Sequence, residues 1–151
     1  MENIFDAKGY ENLASRIQAL TPDTKAKWGK MNVSQMLAHC NVAFDLTYKS
    51  ENYPKAGWFK KFMLKTLVKP AVVGPKPYTK NGRTAPEFII KGDRDFETEK
   101  AKILDYLKQT HEHGAESFEQ RDYINFGKMS SSEWNTLFSK HLEHHLVQFG
   151  V

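Results

Sequence analysis

Three of the six histidines in this 151-residue chain crowd into Lys140-His141-Leu142-Glu143-His144-His145-Leu146. Neutral imidazole is the commonest side-chain ligand for divalent transition metals, and its charge changes near neutral pH. On a helix, about 100° per residue sets His141 and His145 about 40° apart and one turn along. With Trp134 as origin they fall either side of it, between Leu137 and Phe138, on the face that turns to a core. Two imidazoles spaced so on an inward face can chelate one ion. A buried pair satisfied by hydrogen bonds, or histidines lying at a surface, is the commoner outcome of such spacing, so the pair alone leaves all three readings open. The glutamate of a zinc-protease H-E-x-x-H is replaced by Leu142, which excludes that mechanism. His144 falls towards the edge of the apolar arc, beside Leu137 and Gln148.

His39 adds a third imidazole from elsewhere in the chain. It lies seven residues past Asn32, beside Ala43 and Leu46 at the margin of a second apolar stripe, where it can reach a neighbouring helix. Three neutral imidazoles with open positions for water or substrate make a catalytic-type site. Imidazole suits zinc, nickel, iron and copper; zinc, nickel or iron is the expected divalent ion. No carboxylate is placed as general base, so the catalytic residues stay unassigned. Cys40 faces about 100° away from His39, near Met36 and Phe44, as a core thiol. His111 and His113 suit the end of a helix dipole at the surface. Gln148 reads equally as a partner behind a ligand or as a polar edge residue. Trp28, Trp58 and Trp134 read as anchors of the core.

The elements that must position these residues are helical. Tyr10, Leu13, Ile17 and Leu20 share one face of a helix over residues 8–20. Asn32 with Gln35, and Ser130 with Glu133, are capping-box starts for helices over 33–49 and 131–149. Asp95 to His113 gives a further helix near 96–113, with Gly114 to end it. The expected fold class is all-α, with any sheet minor. The stretch from Ser50 to Arg94 holds five of the six prolines, so long regular structure is not expected over most of it. One short amphipathic helix fits there, from Trp58 to about Val68, with Lys61, Lys65 and Lys69 opposite Phe59, Phe62, Met63 and Leu67. It reads as a lid with its apolar groups packed inward and its lysines wet. A membrane-surface helix would carry the same pattern. Gly29-Lys30-Met31-Asn32 also echoes Gly127-Lys128-Met129-Ser130, through capping chemistry or through equivalent entry of two helices into the core.

Composition sets the frame. Hydrophobic residues make up 40% and charged residues 26%, as in a globular protein. The length suits one domain spanning residues 1–151. A single cysteine excludes an intramolecular disulfide. The acidic start and the lack of any run of 18 apolar residues point to a cytoplasmic protein without a membrane span. The net charge of +4 is spread over 22 basic residues interleaved with 18 acidic ones. Nucleic-acid binding is therefore disfavoured; it would need a contiguous basic face, for instance around Lys60, Lys61, Lys65 and Lys69.

The run Trp28-Gly29-Lys30-Met31-Asn32-Val33-Ser34-Gln35-Met36-Leu37-Ala38-His39, with Phe126-Gly127-Lys128 and Glu133-Trp134 continuing to His141-Leu142-Glu143-His144-His145-Leu146-Val147-Gln148-Phe149-Gly150, resembles the DinB-like superfamily. More narrowly it resembles a branch known only as a domain of unknown function. The resemblance covers essentially the whole chain. It implies a DinB-like four-helix bundle with a long crossover between the second and third helices, here carrying the short extra helix. It implies metal ligands at His39, His141 and His145. Some members of the superfamily are thiol transferases or isomerases that use low-molecular-weight thiols. The expected function is a divalent-metal-dependent enzyme, a hydrolase or a thiol-dependent transferase; the alternative is a non-catalytic metal-binding or interaction protein. A small-molecule substrate is the expected partner, and a homodimer is allowed.

Overall fold

The computed structural model describes residues 1–151. Four long helices pack around one core: α1 (Ala7–Ala19), α2 (Val33–Tyr48), α5 (Phe96–His113) and α6 (Ser131–Phe149). Each begins on a side chain that takes an otherwise orphaned N–H. Asp6 accepts from Gly9 at 2.7 Å and Asp95 from Thr98 at 2.8 Å. Both capping boxes close: Asn32 exchanges bonds with Gln35 at 2.8 and 3.1 Å, and Ser130 with Glu133 at 3.2 and 3.0 Å. Leu13 and Ile17 of α1 meet Met36, Leu37 and Phe44 of α2, Ile103 and Leu107 of α5, and Trp134 and Phe138 of α6 in the core. Phe44 and Phe138 stack at 4.5 Å between centroids and so tie α2 to α6. No helix is long and apolar enough to cross a membrane.

The expected all-α class and DinB-like four-helix bundle need correction. The molecule is 61% helical and carries a two-stranded antiparallel sheet. Strands β1 (Arg121–Tyr123) and β2 (Gly127–Met129) pair with Arg121 opposite Met129 and Tyr123 opposite Gly127. The hairpin forms because its pattern has period two: Tyr123 and Met129 are buried, while Asp122 and Lys128, of opposite charge and directly opposed, face outward. A turn bond from the Phe126 N–H to the Tyr123 carbonyl and the positive φ of 73° at Gly127 reverse the chain. Consequently the echo between the two capping boxes stops at the caps, since Gly29 to Met31 is irregular and Gly127 to Met129 is a strand.

The extra helix also differs from expectation. It does not stop at Val68 but runs over residues 58–73: α3 (Trp58–Met63), a π turn (Leu64–Val68) and α4 (Lys69–Val73). Pro70 explains the widened turn. It lacks an N–H and its ring would strike the carbonyl four residues back, so the Lys69 N–H reaches to Leu64 instead. Its face is the reverse of the expected lid. Leu64, Val72 and Val73 pack on the core, whereas Phe59, Phe62 and Leu67 are 62, 57 and 65% exposed. Trp58, expected in the core, is 83% exposed. Polar anchors set this orientation. Lys69 pairs with Glu133 at 2.7 Å, and the buried Lys140 of α6 donates to the carbonyls of Ala71 and Gly74 at 2.8 and 2.7 Å. These carbonyls close the end of α4, where a cation is favoured.

Candidate metal centre

His39 sits in the middle of α2, and His141 and His145 one turn apart near the end of α6. The stacking of Phe44 on Phe138 holds the two helices close enough for the imidazoles to meet. His39 and His145 are buried and His141 is partly buried. Ring centroids lie 4.9 Å apart for His39 and His141, 4.6 Å for His39 and His145, and 4.9 Å for His141 and His145. One nitrogen from each ring lies within 4.8 Å of the others. His144 is displaced to the edge, its ring against Trp28 and Tyr78, and is not among the three.

The outer nitrogens are committed. The Nδ1–H of His39 donates to the Phe88 carbonyl at 2.8 Å, and that of His145 to Oε1 of Gln148 at 2.7 Å. Gln148 is in turn fixed by its amide, which donates to the Trp28 carbonyl at 2.7 Å. Holding the proton on Nδ1 leaves Nε2 of both rings as a lone pair. Burial keeps the rings uncharged. It lowers His39, against the raising effect of the Phe88 bond. His141 is well below its ordinary value through burial and then the neighbouring His145 and His39. Burial, followed by His39, pushes His145 down to about 3, against the raising effect of Gln148. Neutral imidazoles are the form that binds metal.

The donor set fits a divalent ion. Nitrogens bound tetrahedrally to one ion at about 2.1 Å lie about 3.4 Å apart. The present spread of 4.8 Å at most closes to that if two facing rings each move inward by no more than about 0.7 Å. Three imidazoles, two with their tautomers fixed from behind, could therefore hold a metal.

The trio forms part of the wall of a cavity of about 600 Å³. Leu64 and Lys60 of the outer helix, Tyr78, Glu87 and Phe88 of the crossover, and Tyr123 of the hairpin complete the chamber. Glu87 is the one carboxylate in it. Tyr78 donates its hydroxyl to the Val72 carbonyl at 3.1 Å, and burial pushes its pKa up to about 12. Sequence reasoning did not single out Phe88, Glu87 or Tyr78. The available signal was Pro86, which opens the short turn Pro86–Phe88 that presents both the Glu87 side chain and the Phe88 carbonyl. Cys40, adjacent to His39, is buried against Met36 and takes no part; burial pushes its thiol up. His113 is exposed as expected, but His111 is partly buried and stacks on Tyr10 at 4.7 Å.

The model of one protein family, described as a protein of unknown function (DUF1569), matches residues 5–150. No curated protein and no solved structure matches the chain.

Proposed function

We propose that this chain, which belongs to the DUF1569 family of proteins of unknown function, is a divalent-metal-dependent enzyme acting on a small molecule in the chamber beside His39, His141 and His145. The observation that carries the reading is the convergence of three neutral imidazoles on one side of a chamber large enough for a substrate. The DinB-like resemblance of the same three positions supports it. Zinc, nickel or iron suits the donors. An ion held by three uncharged ligands keeps its double charge and supplies Lewis acidity, enough to bring a water's pKa to roughly 7 or to stabilise a thiolate.

The chain's own groups do the rest. The Phe88 carbonyl and Gln148 hold His39 and His145 in the ligating tautomer. Glu87, paired with Lys60 at 3.8 Å, and the non-ligating His144 are the chamber groups placed to take a proton. Leu64, Val72 and Phe126 exclude water from the inner wall. Either hydrolysis or thiol transfer is served by these parts.

Untagged protein tests the reading. Elemental analysis is expected to give close to one zinc, nickel or iron per chain. Turnover of ester or amide substrates, or transfer of a small thiol, should vanish on chelation and return with the ion. Protein that takes up none of these ions when reconstituted would overturn it.

A further inference from the structure

The outer helix, residues 58–73, has no buried residue along its whole length. Trp58, Phe59, Phe62 and Leu67 are each more than half exposed, and Met63 and Val68 are close to 40%. On a helical projection Trp58, Phe59, Phe62, Met63 and Leu67 occupy one outward arc. Lys61 and Lys65 flank it on one side and Lys60 on the other. Contiguous exposed apolar surface of this kind marks a docking face.

The charge around it says what docks. Residues 49–83 contain nine lysines and arginines and one acidic residue, Glu51. The rest of the chain has thirteen basic against seventeen acidic. The modest net charge thus conceals a cationic segment, in which Lys60 and Lys69 are paired with Glu87 and Glu133 while Lys61 and Lys65 on the helix carry no ion pair. A second copy of the chain is a poor occupant, because a two-fold contact would press this cationic face against itself. An anionic bilayer matches both features: aromatic and aliphatic groups enter the headgroup boundary, and lysines at the rim meet lipid phosphates and carboxylates. The helix is already formed and pinned at its C-terminal end by Lys140 and by the Lys69–Glu133 pair, so docking costs little ordering.

We propose that residues 58–73 lie flat on an anionic lipid surface, with Trp58, Phe59, Phe62 and Leu67 inserted and Lys61 and Lys65 at the rim. The inference stands apart from the metal reading: metal-free and metal-loaded protein should bind alike.

The test is co-sedimentation of the full chain with vesicles of phosphatidylcholine alone and of phosphatidylcholine with about one-third phosphatidylserine, at low and physiological salt. Binding to the anionic vesicles alone, weakened by salt, is expected. A blue shift of tryptophan emission should accompany it and be lost in Trp58→Phe. Lys61→Ala/Lys65→Ala should lower partitioning roughly 30-fold at low salt, and Leu67→Glu should also release the protein, both with unchanged circular dichroism. Failure to bind anionic vesicles, or equal binding to both kinds, would overturn the proposal. So would a dimer in sedimentation velocity that Leu67→Glu disperses.

Discussion

The Nε2 atoms of His39 and His141 lie 2.9 Å apart, although the other nitrogen of His39 already donates to the Phe88 carbonyl. With its proton on Nδ1, His39 can only accept at Nε2, so His141 must donate there. The contact is therefore a hydrogen bond in the metal-free state. An ion taking lone pairs from both rings replaces that proton, and contact and ion are alternatives. Metal uptake thus requires His141 to move its proton, which His39 and His145 need not do.

Replacing His39, His141 or His145 by Ala is expected to abolish stoichiometric metal binding in each case. Ion bound at a thousand times its Kd raises wild-type stability by about 4 kcal/mol. The three variants should lose that increment, read as the difference in unfolding midpoint with and without chelator. His113→Ala, in an exposed residue at the end of α5, should keep it. Retention of the increment in any of the three would remove that residue from the ligand set.

Acid should unfold the metal-free protein early. His39, His141 and His145 have folded pKa values below the ordinary 6.5, chiefly through burial. The unfolded chain therefore binds more protons below that pH. Stability is highest above about 6.5 and falls as pH drops towards 3, by up to about 1.4 kcal/mol per pH unit for each histidine titrating. Urea midpoints at pH 7.5, 6 and 5 check the slope. A flat profile would mean that the rings charge freely in the folded state.

Gln148 tests whether the tautomer of His145 matters. Gln148→Leu removes the acceptor of the His145 Nδ1–H and the donor to the Trp28 carbonyl together. Metal affinity is expected to fall about 10- to 100-fold. Gln148→Glu restores an acceptor and should recover much of the affinity, though not the Trp28 bond. Competition with a chromogenic chelator measures both, and equal affinity in Gln148→Leu would show that the contact is incidental.

Lys140→Met keeps the side-chain stem but leaves the Ala71 and Gly74 carbonyls without their donor. The loss should be about 1–3 kcal/mol in urea unfolding. Trypsin should cut faster within residues 60–80 of the native protein. Unchanged stability and cutting would mean that the outer helix is held by its apolar contacts instead.

Much of this could be read from residue types alone. Asn32 with Gln35, and Ser130 with Glu133, cap where expected, because capping chemistry is local and strong. The inward placement of His145 followed from helical arithmetic. What escaped was decided at a distance. The hairpin at Arg121–Met129 is three residues per strand, too short for its period to stand out, and it takes its stability from Tyr123 packing on Trp134. The face of the outer helix followed from Lys140, remote in sequence, and its length from a π turn that absorbs Pro70. The Phe88 carbonyl behind His39 is backbone, and no residue type announces a backbone partner.

The outer helix is clamped near Gly74 by Lys140 and held more lightly towards Trp58, by the partly buried Leu64 and the Lys60–Glu87 pair. A rod fastened at one end behaves as a lever. From Pro70 to Trp58 the arm is about 18 Å, so a 10° rotation at the foot carries the aromatic tip about 3 Å. Lys60 and Leu64 ride on the swinging part and Val72 at the pivot, all of them in the chamber wall. Force applied to the exposed tryptophan end is thus geared directly to the width of the chamber, widest on the side of Lys60, while the histidines on α2 and α6 stay where the core holds them.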